Sequence, residues 1–168
     1  MKKEKMSKWG AILVCAIIFS ISLYTIMDHT IGSYGRSTEG SIYNDNSKIV
    51  LKGDSYSYVT SLGNHKGGIL KKKFRFTGMH TIYKLNTTTG GRIEVNYQVD
   101  IDSGKFKIVF INAKNQIIDV LEGEGTGTKG INLEPGVSRV KLVADDAKGE
   151  LRFNITTKDK INIKYVGK

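Results

Sequence analysis

The chain contains very little cysteine, proline or tryptophan, with one residue of each among 168. Cys15 lies inside the longest apolar run, so the rest of the chain has no thiol for an intramolecular disulfide or a cysteine-ligated metal site. Trp9 precedes that run, and Tyr56, Tyr58 and Tyr83 are poor substitutes for it as a sugar-stacking platform. The domain must therefore be stabilised by packing, as is typical of a bacterial surface protein rather than a small secreted eukaryotic domain.

Signatures of catalysis are also missing from the sequence. His29, His65 and His80 are scattered, and no serine lies in a nucleophile elbow. Gly125–Gly130 matches G-x-G-x-x-G, but no helix is predicted after it, so it is interpreted as a mobile glycine-rich connection. Six carboxylates lack EF-hand spacing and are interpreted as solvated: Asp100, Asp102, Glu122, Glu124, Asp145 and Asp146. The sequence predicts a protein that is not an enzyme and has no metal or other cofactor.

The run from Gly10 to Met27 has no charged residue. As a helix it would be about 27 Å long, close to the hydrocarbon thickness of a bilayer. Four lysines precede it, whereas Asp28 and His29 follow it. This asymmetry predicts a cytoplasmic tail at residues 1–9, a transmembrane signal-anchor helix at 10–27 and an extracytoplasmic C-terminal part, and hence a single-pass protein of the cell membrane.

Two other fates for this segment stay open. A signal peptide could be cleaved after Ser22 or after Gly32, and a lipoprotein signal could end at Cys15. The apolar run is longer than a signal-peptide core, and Val14 stands where a lipobox needs a small residue. The retained anchor is therefore the favoured hypothesis.

The remainder divides into a tether and one domain. Residues 28–47 are rich in Gly, Ser, Thr and Asn without periodic apolar spacing, and are predicted to be a tether. Residues 48–168 are predicted to form one extracytoplasmic domain, because their length suits a single core.

The period of two residues that marks β-strands recurs throughout this domain, most clearly from Arg92 to Asp102. Further strands are predicted at 48–51, 56–61, 70–77, 80–85, 105–111, 116–121, 138–143, 151–156 and 161–166. Turns are predicted at Thr89–Gly91, Asp102–Gly104, Ala113–Asn115, Glu134–Gly136 and Ala147–Gly149. Short strands with short connections predict an all-β fold, an antiparallel β-sandwich that is jelly-roll-like, with a small barrel as the alternative.

Residues 79–156 contain segments that resemble a known group of domains. The segments Thr-Gly-Gly, Arg-Ile-Glu-Val-Asn-Tyr-Gln-Val, Ser-Gly-Lys-Phe-Lys-Ile-Val-Phe-Ile-Asn and Asp-Asp-Ala-Lys-Gly-Glu-Leu follow one another in this part of the chain. Together they resemble β-sandwich domains of membrane-anchored proteins and lipoproteins of Gram-positive bacteria, and in outline prepeptidase C-terminal-type sandwiches. The resemblance implies a fold and a location, and it carries over no site residue.

The charge distribution suggests a ligand class. The formal net charge is +10, of which +3 precedes the apolar run and +7 follows it. A basic exported part favours anionic partners such as cell-envelope polymers. The candidate anionic-ligand residues are Lys71, Lys72, Lys73 and Arg75, which alternate with Phe74 and Phe76 and are predicted to face water. The competing interpretation is an edge strand protected from aggregation by its lysines.

These features predict a membrane-anchored, non-enzymatic cell-surface binding or structural module with affinity for anionic cell-wall polymers, and no nucleic-acid partner is expected. The alternative hypothesis is a sensory or regulatory single-pass membrane protein whose domain binds another membrane protein.

Overall fold

The computed structural model describes residues 41–167. The predicted cytoplasmic tail, the transmembrane helix and tether residues 28–40 lie outside the described residues. Within the described range, no helix has the length and apolar character needed to cross a bilayer.

The described residues begin with two short helical turns and continue as seven strands. A 3-10 helix spans Ile42–Asn44, and α1 spans Asn46–Ile49. The strands are β1 (Ser55–Lys66), β2 (Ile69–Thr87), β3 (Gly91–Ile111), β4 (Ile117–Glu122), β5 (Gly125–Leu133), β6 (Gly136–Thr157) and β7 (Asn162–Tyr165). Every pairing between them is antiparallel, which confirms the predicted all-β antiparallel architecture.

Strands β2, β3 and β6 are long enough to contribute to two layers. The covered layer has the order β7-β2-β6-β3-β4 and uses residues 78–87, 136–145 and 105–111 of these strands. The open layer has the order β1-β2-β6-β3-β5 and uses residues 69–76, 147–157 and 91–101. The two layers together form an antiparallel β-sandwich.

The long strands bend along one line that crosses all three of them. The backbone has positive φ at Gly78 (105°), Gly104 (79°) and Asp146 (46°), and the pairing register shifts beside each position. At Gly104 a β-carbon would lie 2.2 Å from the Asp146 carbonyl oxygen, so only glycine fits there. Bulges of this kind bend a strand while its pairing continues on either side.

The bend folds the two layers face to face around one apolar core. Phe74 of the open layer stacks on Phe106 of the covered layer, with ring centroids 5.0 Å apart. Tyr83 of the covered layer meets Phe153 of the open layer at 5.6 Å. The alternation predicted between Arg92 and Asp102 is confirmed, because Ile93, Val95 and Val99 are buried. The charged residues of the same stretch, Arg92, Glu94, Asp100 and Asp102, are exposed.

Several local predictions are wrong. The predicted turns at Asp102–Gly104 and Ala147–Gly149 are bends inside continuous strands, so that two pairs of predicted strands become β3 and β6. The predicted strand at 48–51 is not formed, because Lys48 and Ile49 belong to α1 and the next two residues form a turn and a bend. The Asp45 carboxylate caps α1 by accepting from the N–H groups of Ser47 and Lys48. Gly125–Gly130 belongs to strand β5, paired along β3, and is not a mobile connection.

The folded part also begins before residue 48, whereas the sequence pattern predicts a tether throughout 28–47. Tyr43 is 4% exposed and, with Ile49, packs on the outer face of the covered layer against Met79, Val109 and Val143. The Tyr43 hydroxyl donates to Glu122 Oε1 at 2.9 Å. The segment 41–54 therefore buries the part of the outer face of the covered layer formed by Met79, Val109 and Val143.

A buried lysine holds the end of this segment. Lys141, on β6, has no exposed side-chain surface, and its Nζ donates to the carbonyl oxygens of Leu51 and Gly53, each at 2.8 Å. Its Nζ also lies 3.4 Å from Asp54 Oδ1, which accepts hydrogen bonds from the N–H and the hydroxyl of Thr81. Burial lowers the pKa of Lys141, and the nearby Asp54 carboxylate opposes that change.

Candidate functional site

The outer face of the open layer is the largest part of the sandwich that no described segment covers. Alternate residues of its five strands point outward and form cross-strand rows two residues apart. One row contains Asn64, Lys71, Arg152, Gln98 and Thr126, taken in order from β1 to β5. The face is hydrophilic and carries many amide, hydroxyl and charged groups.

The structure places the four predicted ligand-binding residues differently from one another. Lys71, Lys73 and Arg75 are exposed on the outer face, and Phe74 and Phe76 are buried, so the predicted register of the strand is confirmed. Strand β2 is not an edge, since β1 and β6 pair on either side of it. The edge-strand interpretation of these lysines is therefore wrong.

The prediction that Lys72 faces water is also wrong. Its side chain is 6% exposed, and its Nζ lies 4.2 Å from the centroid of the Tyr58 ring. Burial lowers its pKa. The alternation of the strand explains this placement, because Lys72 shares the inward parity of Phe74 and Phe76.

Two of the outward cations are already paired with acids on β6. Lys73 Nζ lies 2.8 Å from Glu150 Oε1, and the Arg75 guanidinium donates to both Asp146 carboxylate oxygens at 3.1 and 3.2 Å. These contacts raise the pKa of Lys73 and of Arg75. The pairs are exposed, so they contribute little to stability, but they reduce the positive field at their own positions.

Lys71 differs from these two residues because the residue directly opposite it on β6 is another cation, Arg152. Among residues 41–167, neither Lys71 nor Arg152 forms an ion pair. Both line a surface groove of about 470 Å³. Like charges directly opposite each other on neighbouring strands are destabilising, so this arrangement favours binding of an anion between them.

Neutral and acidic groups complete this groove. Gln98 lies opposite Arg152 in the same row, and its amide offers both donors and an acceptor. Asp100 and Glu150 line the adjacent row, where Glu150 is bound to Lys73. The groove is therefore positive at the Lys71–Arg152 end and negative near Asp100.

Sequence reasoning identified Lys71 but missed Arg152. The alternation of Leu151, Phe153 and Ile155 already indicated that Arg152 faces outward. Its proximity to Lys71 depends on the pairing of β2 with β6, whose residues are about 80 positions apart in the chain. A residue pattern within one strand contains no information about such pairing.

Of the tyrosines considered for sugar stacking, Tyr56 and Tyr58 lie on the edge strand β1 and Tyr83 lies on β2. Tyr56, Tyr58 and His80 cluster on the inner side of β1, where Tyr58 Oη and His80 Nδ1 are joined by a 2.9 Å hydrogen bond. Burial raises the pKa of Tyr58. Burial is also the main cause that lowers the pKa of His80 to about 4. Tyr83 is buried in the core, where its pKa is raised to about 12. These rings therefore offer no flat stacking surface beside the groove.

Within the described range, no three His, Cys, Asp or Glu side chains are arranged to hold a metal ion. Comparison by sequence finds no relative: no protein-family model and no curated protein matches the chain.

Some solved structures are similar to part of the chain. A family 29 carbohydrate-binding module has 13% identity and a TM-score of 0.34, over 67% of this chain and 79% of that chain. A mutant of such a module, complexed with mannohexaose, has 13% identity and a TM-score of 0.35 over 67% and 82% of the two chains. An active-site mutant of a family two carbohydrate esterase from Clostridium thermocellum has 13% identity and a TM-score of 0.37 over 69% and 34%. Likeness at this level assigns no ligand and no activity to the chain.

Proposed function

We propose that the domain is a non-enzymatic binding module for an anionic cell-envelope polymer, which it takes on the outer face of the open layer. The observation that carries the proposal is the cross-strand pair of cations, Lys71 and Arg152, inside a groove. An anionic group between the two would remove their mutual repulsion and accept charge-assisted hydrogen bonds from both.

The geometry of the arginine supports this choice of ligand. A guanidinium presents a planar fork of donors that matches a phosphate or carboxylate, and the Lys71 ammonium adds a second charge. The net charge of +7 after residue 9 would attract a polyanion at long range. Added salt would screen this attraction.

The proposed function includes anchoring in a membrane. We place the predicted transmembrane helix at 10–27 before the domain, with the domain on the extracytoplasmic side of the cell membrane. The lysine asymmetry of the sequence supports that orientation.

Replacing Lys71 and Arg152 together with Gln is expected to weaken binding of residues 41–168 to poly(glycerol phosphate) by roughly tenfold at low salt, because two charge-assisted contacts are lost. Parent binding should itself fall steeply between low and physiological salt. Isothermal titration or biolayer interferometry measures both effects, and the thermal midpoint should change little.

A matched control is available in the covered layer, where Lys84 and Lys164 also lie directly opposite each other and are exposed. They line neither of the two surface grooves. Lys84→Gln/Lys164→Gln removes the same charge and should lower polymer affinity by no more than about twofold.

Asp100→Asn should raise polymer affinity by about two- to threefold, because a negative charge near the Lys71–Arg152 pair is removed. Equal losses in the two double variants would mean that only net charge matters, and the proposed site would be wrong.

A second candidate function is recognition of another membrane protein through the edge of β1. Val59 and Leu62 are 75% and 65% exposed on this edge strand, and no residue from Ser55 to Asn64 is charged. Unprotected edges accept a partner strand. Val59→Asn, an uncharged change at a residue that does not line the Lys71–Arg152 groove, is expected to weaken capture of a membrane partner by crosslinking in native membranes while leaving polymer affinity intact. Unchanged crosslinks would exclude this function.

A further inference from the structure

A second groove lies on the same face, along β3 and β6, which are two of the strands that line the first groove. It has a volume of about 490 Å³ and is lined by Arg92 and Glu94 of β3, Thr156 and Thr157 of β6, and the following Lys158 and Asp159. Gln98 and Arg92 have the same outward parity on β3 and are six residues apart. At the rise of a strand this separation is about 20 Å.

The surface between the two grooves is polar and uncharged. Asn96 and Asn154 lie opposite each other there, and Asn96 Oδ1 accepts a hydrogen bond of 2.7 Å from the Thr128 hydroxyl. The outward residues of β5 are also small and neutral: Thr126, Thr128, Gly130 and Asn132. On β3, β5 and β6 no bulky apolar side chain separates one groove from the other, and Ile69 of β2, opposite Asn154, lies beside this surface.

Arg92 is held in place at the far end of this surface. Its backbone N–H donates to Asp159 Oδ2 at 2.6 Å, and its carbonyl accepts from the Thr157 hydroxyl at 2.7 Å. Its guanidinium donates to Asn132 Oδ1 at 3.3 Å and lies over Gly130, where a β-carbon would be 2.2 Å from Nη2. A glycine in β5 is thus required for the arginine to lie flat, and guanidinium donors remain for a ligand.

From these features we infer that the two grooves are the ends of one track, which takes a linear polymer with repeated anionic groups and hydroxyl-bearing repeats. One anionic group binds at Lys71 and Arg152, and another, about 20 Å along the strands, binds at Arg92 and Lys158. Asp100 and Glu94 accept hydrogen bonds from hydroxyl groups of the repeats. This inference rests on the proposed function, and it adds that the ligand is long and runs parallel to β3 and β6.

The test compares two glycerol phosphate oligomers, a dimer that fits one groove and a dodecamer that exceeds the track. For Arg92→Gln, and separately for Lys158→Gln, we expect dodecamer affinity to fall about three- to tenfold while dimer affinity stays within about twofold of the parent. Lys71→Gln/Arg152→Gln should weaken both oligomers. Lys84→Gln/Lys164→Gln controls for net charge, and thermal midpoints verify folding.

The possible failures are distinguishable. If the Arg92 and Lys158 variants bind the dodecamer as the parent does, the track is refuted while the Lys71–Arg152 site stands. If the parent binds neither oligomer, the proposed function fails and the track fails with it. Equal losses for dimer and dodecamer in the Arg92 variant would also refute the track.

Discussion

Replacing Lys141 with Ala is expected to lower the free energy of unfolding of the domain by about 3 kcal/mol. The change removes the donor that binds the Leu51 and Gly53 carbonyl oxygens, leaves Asp54 without its cation and opens a cavity on the outer face of the covered layer. Asp54 is partly exposed, so the ion pair accounts for the smaller part of this loss. Urea-induced unfolding of residues 41–168 measures the change.

Hydrogen exchange gives this prediction a local signature. Residues 41–54 should exchange faster in Lys141→Ala, because Lys141 holds the end of the segment that covers Met79, Val109 and Val143. Lys141→Met keeps most of the buried volume and should lose less stability, and the exposed Lys84→Ala should change it by no more than about 0.5 kcal/mol. A Lys141→Ala loss below about 1 kcal/mol would mean that the apolar contacts alone hold the segment.

Acidification is expected to destabilise the domain by up to about 3 kcal/mol between pH 6.5 and pH 4, through His80. His80 is 3% exposed, and burial, followed by the charge of Lys72, lowers its pKa to about 4, while Asp54 partly opposes this shift. In this interval the unfolded chain binds a proton that the native imidazole does not. Acid therefore favours the unfolded state, and stability rises with pH until about 6.5, the ordinary pKa of histidine.

Unfolding free energies of the parent, His80→Gln and His65→Gln across this pH range test the assignment. His80→Gln should flatten the curve, because the group that titrates differently in the two states is gone. His65→Gln replaces an exposed histidine of β1 and controls for the substitution itself. Parallel curves for the parent and His80→Gln would show that other groups cause the acid sensitivity.

Much of the strand content could be predicted from local patterns. Alternation identified the inward residues of β3, and the parity of Phe74 and Phe76 set the correct register for β2. The same parity places Lys72 inward, whereas its charge favours an exposed assignment. The Lys72 ammonium lies over the ring of Tyr58, which belongs to β1. The sequence of β2 alone therefore does not reveal this contact.

Glycine-containing segments were the main source of error in the fold. A glycine with positive φ occurs both in hairpin turns and in bulges, and sequence does not distinguish the two. The segment at Gly104 is a bulge, so the chain bends and keeps its direction. In β5, the absence of a side chain at Gly130 leaves space for the Arg92 guanidinium. The role of this glycine therefore depends on the pairing of β3 with β5 and is not visible in the sequence of β5 alone.

The sequence by itself determined that residues 55–165 are mostly strands with alternating inward and outward side chains, because the two-residue period is a local property of each strand. It also determined the positive charge and the outward direction of Lys71. Only the tertiary structure decided that Lys73 and Arg75 are paired with Glu150 and Asp146, and that Lys71 and Arg152 are left facing each other. Those contacts depend on the register between strands distant in sequence, which is set by how both layers close on a common core.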